Sequence, residues 1–137
     1  MLFLPTLSAT GRLAFLAATA VLLASGCRPK LSSDTSWAHA AAEFAPNPPA
    51  VGRAGLVIGI KDGSGAPVTA PYVQVEGDMG HAGMKPVFAV LKAAGHGRYE
   101  GAIDFDMGGD WSLLISGTDS SGRAFSTRVD VPGVRDR

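Results

Sequence analysis

Residues 98–118 read RYEGAIDFDMGGDWSLLISGT. Every second position in the two halves of this stretch carries a large apolar side chain or a glycine: Tyr99, Gly101, Ile103 and Phe105, then Trp111, Leu113 and Ile115. A period of two is typical of half-buried β-strands, so the stretch predicts strands over residues 98–105 and 110–118. The glycine-containing segment between them predicts a turn.

The same alternation continues on both sides of this stretch. It predicts further strands over residues 56–61, 72–77, 87–93 and 123–131, joined by glycine-containing turns. Six or seven short strands without a helix-length segment between them indicate an all-β fold. We therefore predict an immunoglobulin-like antiparallel β-sandwich of about seven strands.

The composition excludes several classes of protein. A chain of 137 residues is long enough for one domain of ordinary size. Twelve basic and twelve acidic residues give no net charge, which argues against nucleic-acid binding because phosphate contacts require a basic surface. The single cysteine excludes an intramolecular disulfide and any multi-cysteine metal site. No serine stands in a Gly-x-Ser-x-Gly context and no phosphate-binding glycine loop occurs, so we do not expect an enzyme.

The amino-terminal segment has the pattern of a bacterial secretory signal. Arg12 precedes an apolar run over residues 13–25, which is too short to span a bilayer and is typical of a signal sequence. The run ends in Leu23-Ala24-Ser25-Gly26-Cys27, which resembles the lipobox of lipoproteins. We expect residues 1–26 to be removed and acyl chains such as palmitate on Cys27 to hold the protein at the cell-envelope membrane, facing the periplasm. An ordinary secretory signal that leaves Cys27 as a free thiol is the alternative.

A tether is predicted over residues 27–47, followed by the β-sandwich domain over residues 48–134. Four side chains near the end of the tether recur at helical spacing: Trp37, Ala40, Ala41 and Phe44. They predict a short helix over residues 37–44, capped by Ser33 or Asp34. Prolines at positions 46, 48 and 49 would end this helix and favour an extended chain.

Two glycine-rich loops contain every methionine that follows Cys27. Met79 and Met84 flank His81 in one loop, and Met107 lies in the other. Thioethers are soft neutral ligands and imidazole suits copper, so these four side chains form a candidate copper(I) site. Successive loops of an up-and-down sandwich alternate between its ends, which brings the two loops together and places His96 at the opposite end. Methionines that only fill one end of the core, with His81 in solvent, are the alternative.

The segment from Pro46 to Val134 resembles the YtkA-like domain family, which is related to FixH-type proteins. The resemblance lies in Pro48-Pro49-Ala50-Val51-Gly52, Gly65-Ala66-Pro67-Val68 before Val73-Gln74-Val75, Met79-Gly80-His81-Ala82-Gly83-Met84, Gly97-Arg98-Tyr99-Glu100-Gly101, and Phe105-Asp106-Met107-Gly108-Gly109-Asp110-Trp111. It implies a small extracytoplasmic β-sandwich, often joined to a membrane anchor. It also implies links to copper handling and to the assembly of copper-containing oxidases.

Two functions are consistent with these features. In the first, a lipid-anchored domain binds copper(I) through the four side chains above and buffers it or delivers it to a copper enzyme or transporter. In the second, the domain is a protein–protein interaction or assembly-accessory module of the cell envelope that binds no metal. The second function would use the same loops or an exposed edge strand. A purely structural envelope protein is a third interpretation.

Overall fold

The computed structural model describes residues 37–137, which form seven β-strands. The strands are β1 (Ala38–Ala45), β2 (Gly52–Asp62), β3 (Tyr72–Asp78), β4 (Val87–Gly95), β5 (Arg98–Phe105), β6 (Gly109–Thr118) and β7 (Ala124–Val134). No helix occurs in these residues, and none is therefore long and apolar enough to span a bilayer. The predicted signal, the lipobox cysteine and the first part of the tether lie outside the described residues.

All seven strands belong to one nearly closed antiparallel sheet in the order β1-β2-β5-β4-β3-β6-β7. Strand β4 joins its two halves, because residues 87–92 pair with β3 and residues 92–95 pair with β5. At the other side β1 contacts β7, and Ala50 forms a parallel bridge with Arg135. The result is two layers, β1-β2-β5 and β3-β6-β7, with crossed connections between them. The predicted immunoglobulin-like sandwich is confirmed.

The core lies between the two layers and follows the predicted alternation. The most deeply buried large side chains come from five strands: Leu56, Ile58, Ile60, Val73, Val75, Leu91, Tyr99, Ile103, Phe105, Trp111, Leu113 and Ile115. Both halves of residues 98–118 therefore point their large apolar side chains inward, as the sequence predicts. Burial of this apolar surface is the main favourable term in the stability of the sandwich.

The predicted helix over residues 37–44 is wrong, because this segment forms strand β1. It pairs with β2 along its whole length, from Ala38 opposite Asp62 to Ala45 opposite Gly55. Ala40, Ala42 and Phe44 pack against the core, so the inward positions recur every second residue. Alanine is small enough to fit either pattern, and pairing with a buried neighbouring strand outweighs a weak helix propensity. Residues 38–45 therefore lie in the sheet, within the stretch predicted to be the tether.

Trp37 fixes the point at which the chain enters the sheet. Its ring packs edge-on against Phe125, with centroids 5.8 Å apart, and the Arg123 guanidinium lies 3.5 Å above the ring centroid. The indole nitrogen donates a hydrogen bond to the Ala124 carbonyl oxygen at 3.1 Å. These contacts tie the start of β1 to the turn between β6 and β7.

Tyr99 joins the core to the connection between β2 and β3. Its hydroxyl group donates a hydrogen bond to the Val68 carbonyl oxygen and accepts one from the Ala70 N–H group at 2.9 Å. All three residues are buried. Burial raises the pKa of the Tyr99 phenol above its ordinary value, because the phenolate would be poorly solvated.

Replacing Tyr99 with Phe keeps the ring and leaves the Val68 carbonyl and the Ala70 N–H group buried without their partner. We expect the free energy of unfolding to fall by about 1–3 kcal/mol, measured by urea denaturation. Tyr72→Phe is the matched control. Tyr72 is half exposed, so loss of its hydroxyl group should leave the free energy of unfolding unchanged. Equal stability of Tyr99→Phe and the wild type would contradict the structural role of this hydroxyl group.

Candidate metal site

Strand direction sorts the connections of the sandwich into two ends. Strands β3 and β5 are both antiparallel to β4, so the β3–β4 loop (residues 79–86) and the β5–β6 loop (residues 106–108) lie at the same end. We call it the methionine end. The opposite, entry end contains Trp37 and the β4–β5 turn with His96. The two loops therefore lie at one end of the sandwich and His96 at the other, as the alternation of successive loops predicts.

Hydrogen bonds fold the β3–β4 loop into two turns. The Gly80 N–H group donates to the Asp78 carboxylate at 2.9 Å, and the Met84 N–H group donates to the His81 carbonyl oxygen at 3.2 Å. Gly80 and Gly83 have φ values of 67° and 84°, which glycine adopts without steric cost. His81 and Met84 occupy the first and fourth positions of the second turn, so their backbones are neighbours.

Met79 links the two loops of the methionine end. It is half-buried and packs against the core. Its methyl carbon lies over Gly109, where an added Cβ would stand 2.9 Å from Met79 Cε. Gly109 is the first residue of β6 and lies two residues beyond Met107, so the Met79 side chain lies beside the end of the loop that carries Met107.

A hydrogen bond from Trp111 fixes the loop that contains Met107. The buried indole nitrogen of Trp111 donates a hydrogen bond to the Met107 carbonyl oxygen at 3.1 Å. The same ring packs against Phe105, with centroids 5.2 Å apart, and Phe105 packs against Phe44 at 6.0 Å. The sequence predicts Trp111 as a core residue but does not reveal this hydrogen bond. The four-residue spacing between Met107 and Trp111 is the only signal that could have indicated it.

The four predicted ligands differ in exposure. Met79 and Met84 are half-buried, His81 is exposed, and Met107 is 49% exposed. The described contacts join the Met79 side chain to the end of the Met107 loop and the Met84 backbone to the His81 backbone. Exposure of His81 agrees with the alternative in which it is an ordinary loop residue. The exposure of Met107 disagrees with the alternative in which the methionines only fill the core, because such a side chain would be buried.

A groove of about 470 Å³ runs beside Met79 on the outer face of β3, β6 and β7. In its wall the Ser112 hydroxyl group donates to the Asp130 carboxylate at 3.0 Å, and the Arg128 guanidinium donates to the same oxygen at 3.2 Å and contacts Ser112. The hydrogen bond from Ser112 and then that from Arg128 lower the pKa of the Asp130 carboxyl group below its usual value. These three polar groups therefore satisfy one another.

No group of three or more His, Cys, Asp and Glu side chains within residues 37–137 is arranged to hold a metal ion. The methionine end does contain carboxylates, at Asp78, Asp106 and Asp110. Asp110 accepts a hydrogen bond from the Gly133 N–H group at 2.9 Å, which ties the start of β6 to the end of β7. Carboxylates near an ion site raise the local concentration of cations.

The fold and the methionine end together define a small immunoglobulin-like domain that carries its methionines in two loops at one end. Residues 38–116 match the profile of the YtkA-like family, which is more than half of the chain. The protein therefore belongs to the YtkA-like family, and the predicted resemblance is confirmed. The match begins at the first residue of β1 and includes His81 and all three methionines of the two loops. No curated protein and no solved structure gave a match to the chain.

Proposed function

We propose that this protein is an extracytoplasmic copper(I)-binding domain that buffers the ion or delivers it to a partner such as a copper enzyme or transporter. The observation that carries the proposal is the placement of the thioethers. All three methionines of residues 37–137 lie at one end of the sandwich, in loops that meet where Met79 covers Gly109. Methionine is a suitable copper(I) ligand outside the cytoplasm because a thioether is soft and withstands oxidation better than a thiol.

The proposed ligands are Met79, His81, Met84 and Met107. The half-buried Met79 and Met84 would hold the ion from the core side, and the exposed His81 and Met107 would receive it from solvent. Thioether and neutral imidazole ligands add no negative charge, so the ion would be bound reversibly. Reversible binding suits a protein that passes its ion to another protein.

The proposed anchor is an acylated Cys27. The lipobox resemblance supports it, and several acyl chains on one cysteine would hold a small domain firmly at a membrane. The protein would then face the periplasm of the bacterial cell envelope. This part of the proposal is independent of the metal and can be tested by mass spectrometry of the membrane fraction, with Cys27→Ser as the control.

A competition titration of residues 28–137 against a copper(I) chelator tests the metal site. We expect one equivalent of copper(I), and we expect Met79→Ser combined with Met84→Ser to weaken binding by roughly 100-fold, which is about 2.8 kcal/mol. His81→Ala should weaken binding, whereas the matched control His39→Ala should not, because His39 is exposed near the entry end. A stoichiometry below one, or unchanged affinity of the double variant, would sink the proposal.

The second candidate function is a protein–protein interaction module that binds no metal. Exposed apolar side chains on the outer face of β4 favour it, since Phe88 is 71% and Val90 is 61% exposed. Co-purification of one envelope protein regardless of added copper would support this function over copper delivery.

A further inference from the structure

One outer face of the sandwich is apolar. Four large hydrophobic residues are exposed within residues 37–137, and three of them lie on the outer face of β3 and β4: Tyr72, Phe88 and Val90, at 49%, 71% and 61%. The half-buried Leu114 of β6 lies on the same outer face, with Glu76 of β3 between it and Phe88. We call the surface formed by Tyr72, Phe88, Val90 and Leu114 the apolar face.

The outer face of the other layer has a different character. Strands β1, β2 and β5 present charged side chains there, including the ion pairs Arg53–Asp104 at 3.8 Å and Arg98–Glu43 at 3.9 Å. A soluble domain normally scatters its exposed apolar side chains, so their concentration on one layer indicates a surface that is covered by a partner.

Two charged residues of opposite sign, Glu76 and Lys92, lie near opposite ends of the apolar face. Glu76 lies between Phe88 and Leu114, towards the methionine end, where Asp78 adds a second carboxylate and Arg128, opposite Leu114 on β7, adds a cation. Lys92 lies four residues from Phe88 on β4, near the entry end, about 14 Å away along the strand. This distance is too long for an ion pair between Lys92 and Glu76 of one chain. Among the described residues neither forms an ion pair, although Glu100 of β5 is the cross-strand neighbour of Lys92.

We propose that two copies of this chain associate through their apolar faces. A two-fold axis near Val90 would stack the faces with their strands running in opposite directions, so that Lys92 of each copy faces Glu76 of the other. A groove of about 180 Å³ between Val90 and Ser116 gives room for an apolar side chain of the second copy. This arrangement covers Phe88 and pairs charges of opposite sign, which favours a second copy over an unrelated partner.

Sedimentation equilibrium of the full chain in a density-matched non-ionic detergent tests the proposal. We expect a dimer with a dissociation constant of roughly 10–100 μM, as befits a small interface. Lys92→Glu and Glu76→Lys should each weaken dimerisation by at least about tenfold, because like charges would then face each other. The double variant Lys92→Glu/Glu76→Lys should regain the wild-type dissociation constant.

The matched control is Lys61→Glu, which makes the same change in net charge on the exposed surface of β2. It should leave the dimer unchanged, and the thermal unfolding of every variant shows whether its fold is intact. A wild-type chain that is monomeric at all concentrations would overturn the proposal. So would a double variant that dimerises no better than either single variant.

Discussion

We expect the replacement of Trp111 with Ala to lower the free energy of unfolding by about 3–5 kcal/mol, which is a large part of the stability of a small domain. The ring is 2% exposed and packs edge-on against Phe105. Its removal leaves a cavity that the surrounding strands can fill only in part, and it takes away the hydrogen bond to the Met107 carbonyl oxygen. Equilibrium denaturation of residues 28–137 in urea measures the loss.

Two variants separate the contributions of Trp111. Trp111→Phe keeps an aromatic ring in the core and loses the N–H donor, so we expect a smaller loss than for the alanine variant. Trp37→Ala removes an equal side chain from the entry end, where the ring is only half-buried. It should also cost less than Trp111→Ala. Equal stabilities of Trp111→Ala and Trp37→Ala would show that Trp111 is not central to the core.

Gly97→Ala is the second variant with a large expected effect, a loss of about 2–4 kcal/mol in the free energy of unfolding. Gly97 has φ of 72°, which disfavours any side chain. An added Cβ would also lie 2.6 Å from the Ile60 carbonyl oxygen and 2.9 Å from Pro67 Cβ. The Ile60 N–H group donates to the Gly97 carbonyl oxygen, so the clash falls on backbone that cannot move without loss of this hydrogen bond.

Gly95→Ala is the matched control for Gly97→Ala. Gly95 lies in the same turn with φ of 90°, but nothing lies within 4 Å of an added Cβ. It should lose only about 1 kcal/mol, from backbone strain alone. The difference between the two variants, measured by urea denaturation, gives the cost of the close contact. Similar losses for both would mean that the contact with Ile60 relaxes freely.

The fold class could be predicted from the sequence because large side chains report the period of a strand. Trp111, Leu113 and Ile115 can be buried together only if the chain alternates, and the structure has them on one inner face. The prediction of a helix over residues 37–44 was wrong because the alanines of this segment fit both a helix and a strand. Pairing with β2 makes this segment a strand, and the local sequence pattern carries no information about that pairing. The crossed order, with β5 beside β2 and β6 beside β3, likewise depends on pairing between distant residues.

The candidate site was only partly predictable for a related reason. The number of strands between two loops determines whether they share an end, so the sequence could place Met107 with Met79. The depth of each side chain depends on its rotamer and on its neighbours, as in the contact of Met79 with Gly109. A pattern of residue types does not contain that information. Exposure of His81 and of Met107 therefore emerged only from the structure.

The position of Trp37 at the entry end sets an upper limit to the distance between the proposed Cys27 anchor and the sheet. Nine residues lie between Cys27 and Trp37, so this segment spans at most roughly 35 Å. Strand β6, with 10 residues, then extends the domain by about 33 Å between its two ends. Because the chain enters the sheet at the entry end, the methionine end lies a full strand length from the point where the proposed tether joins the domain.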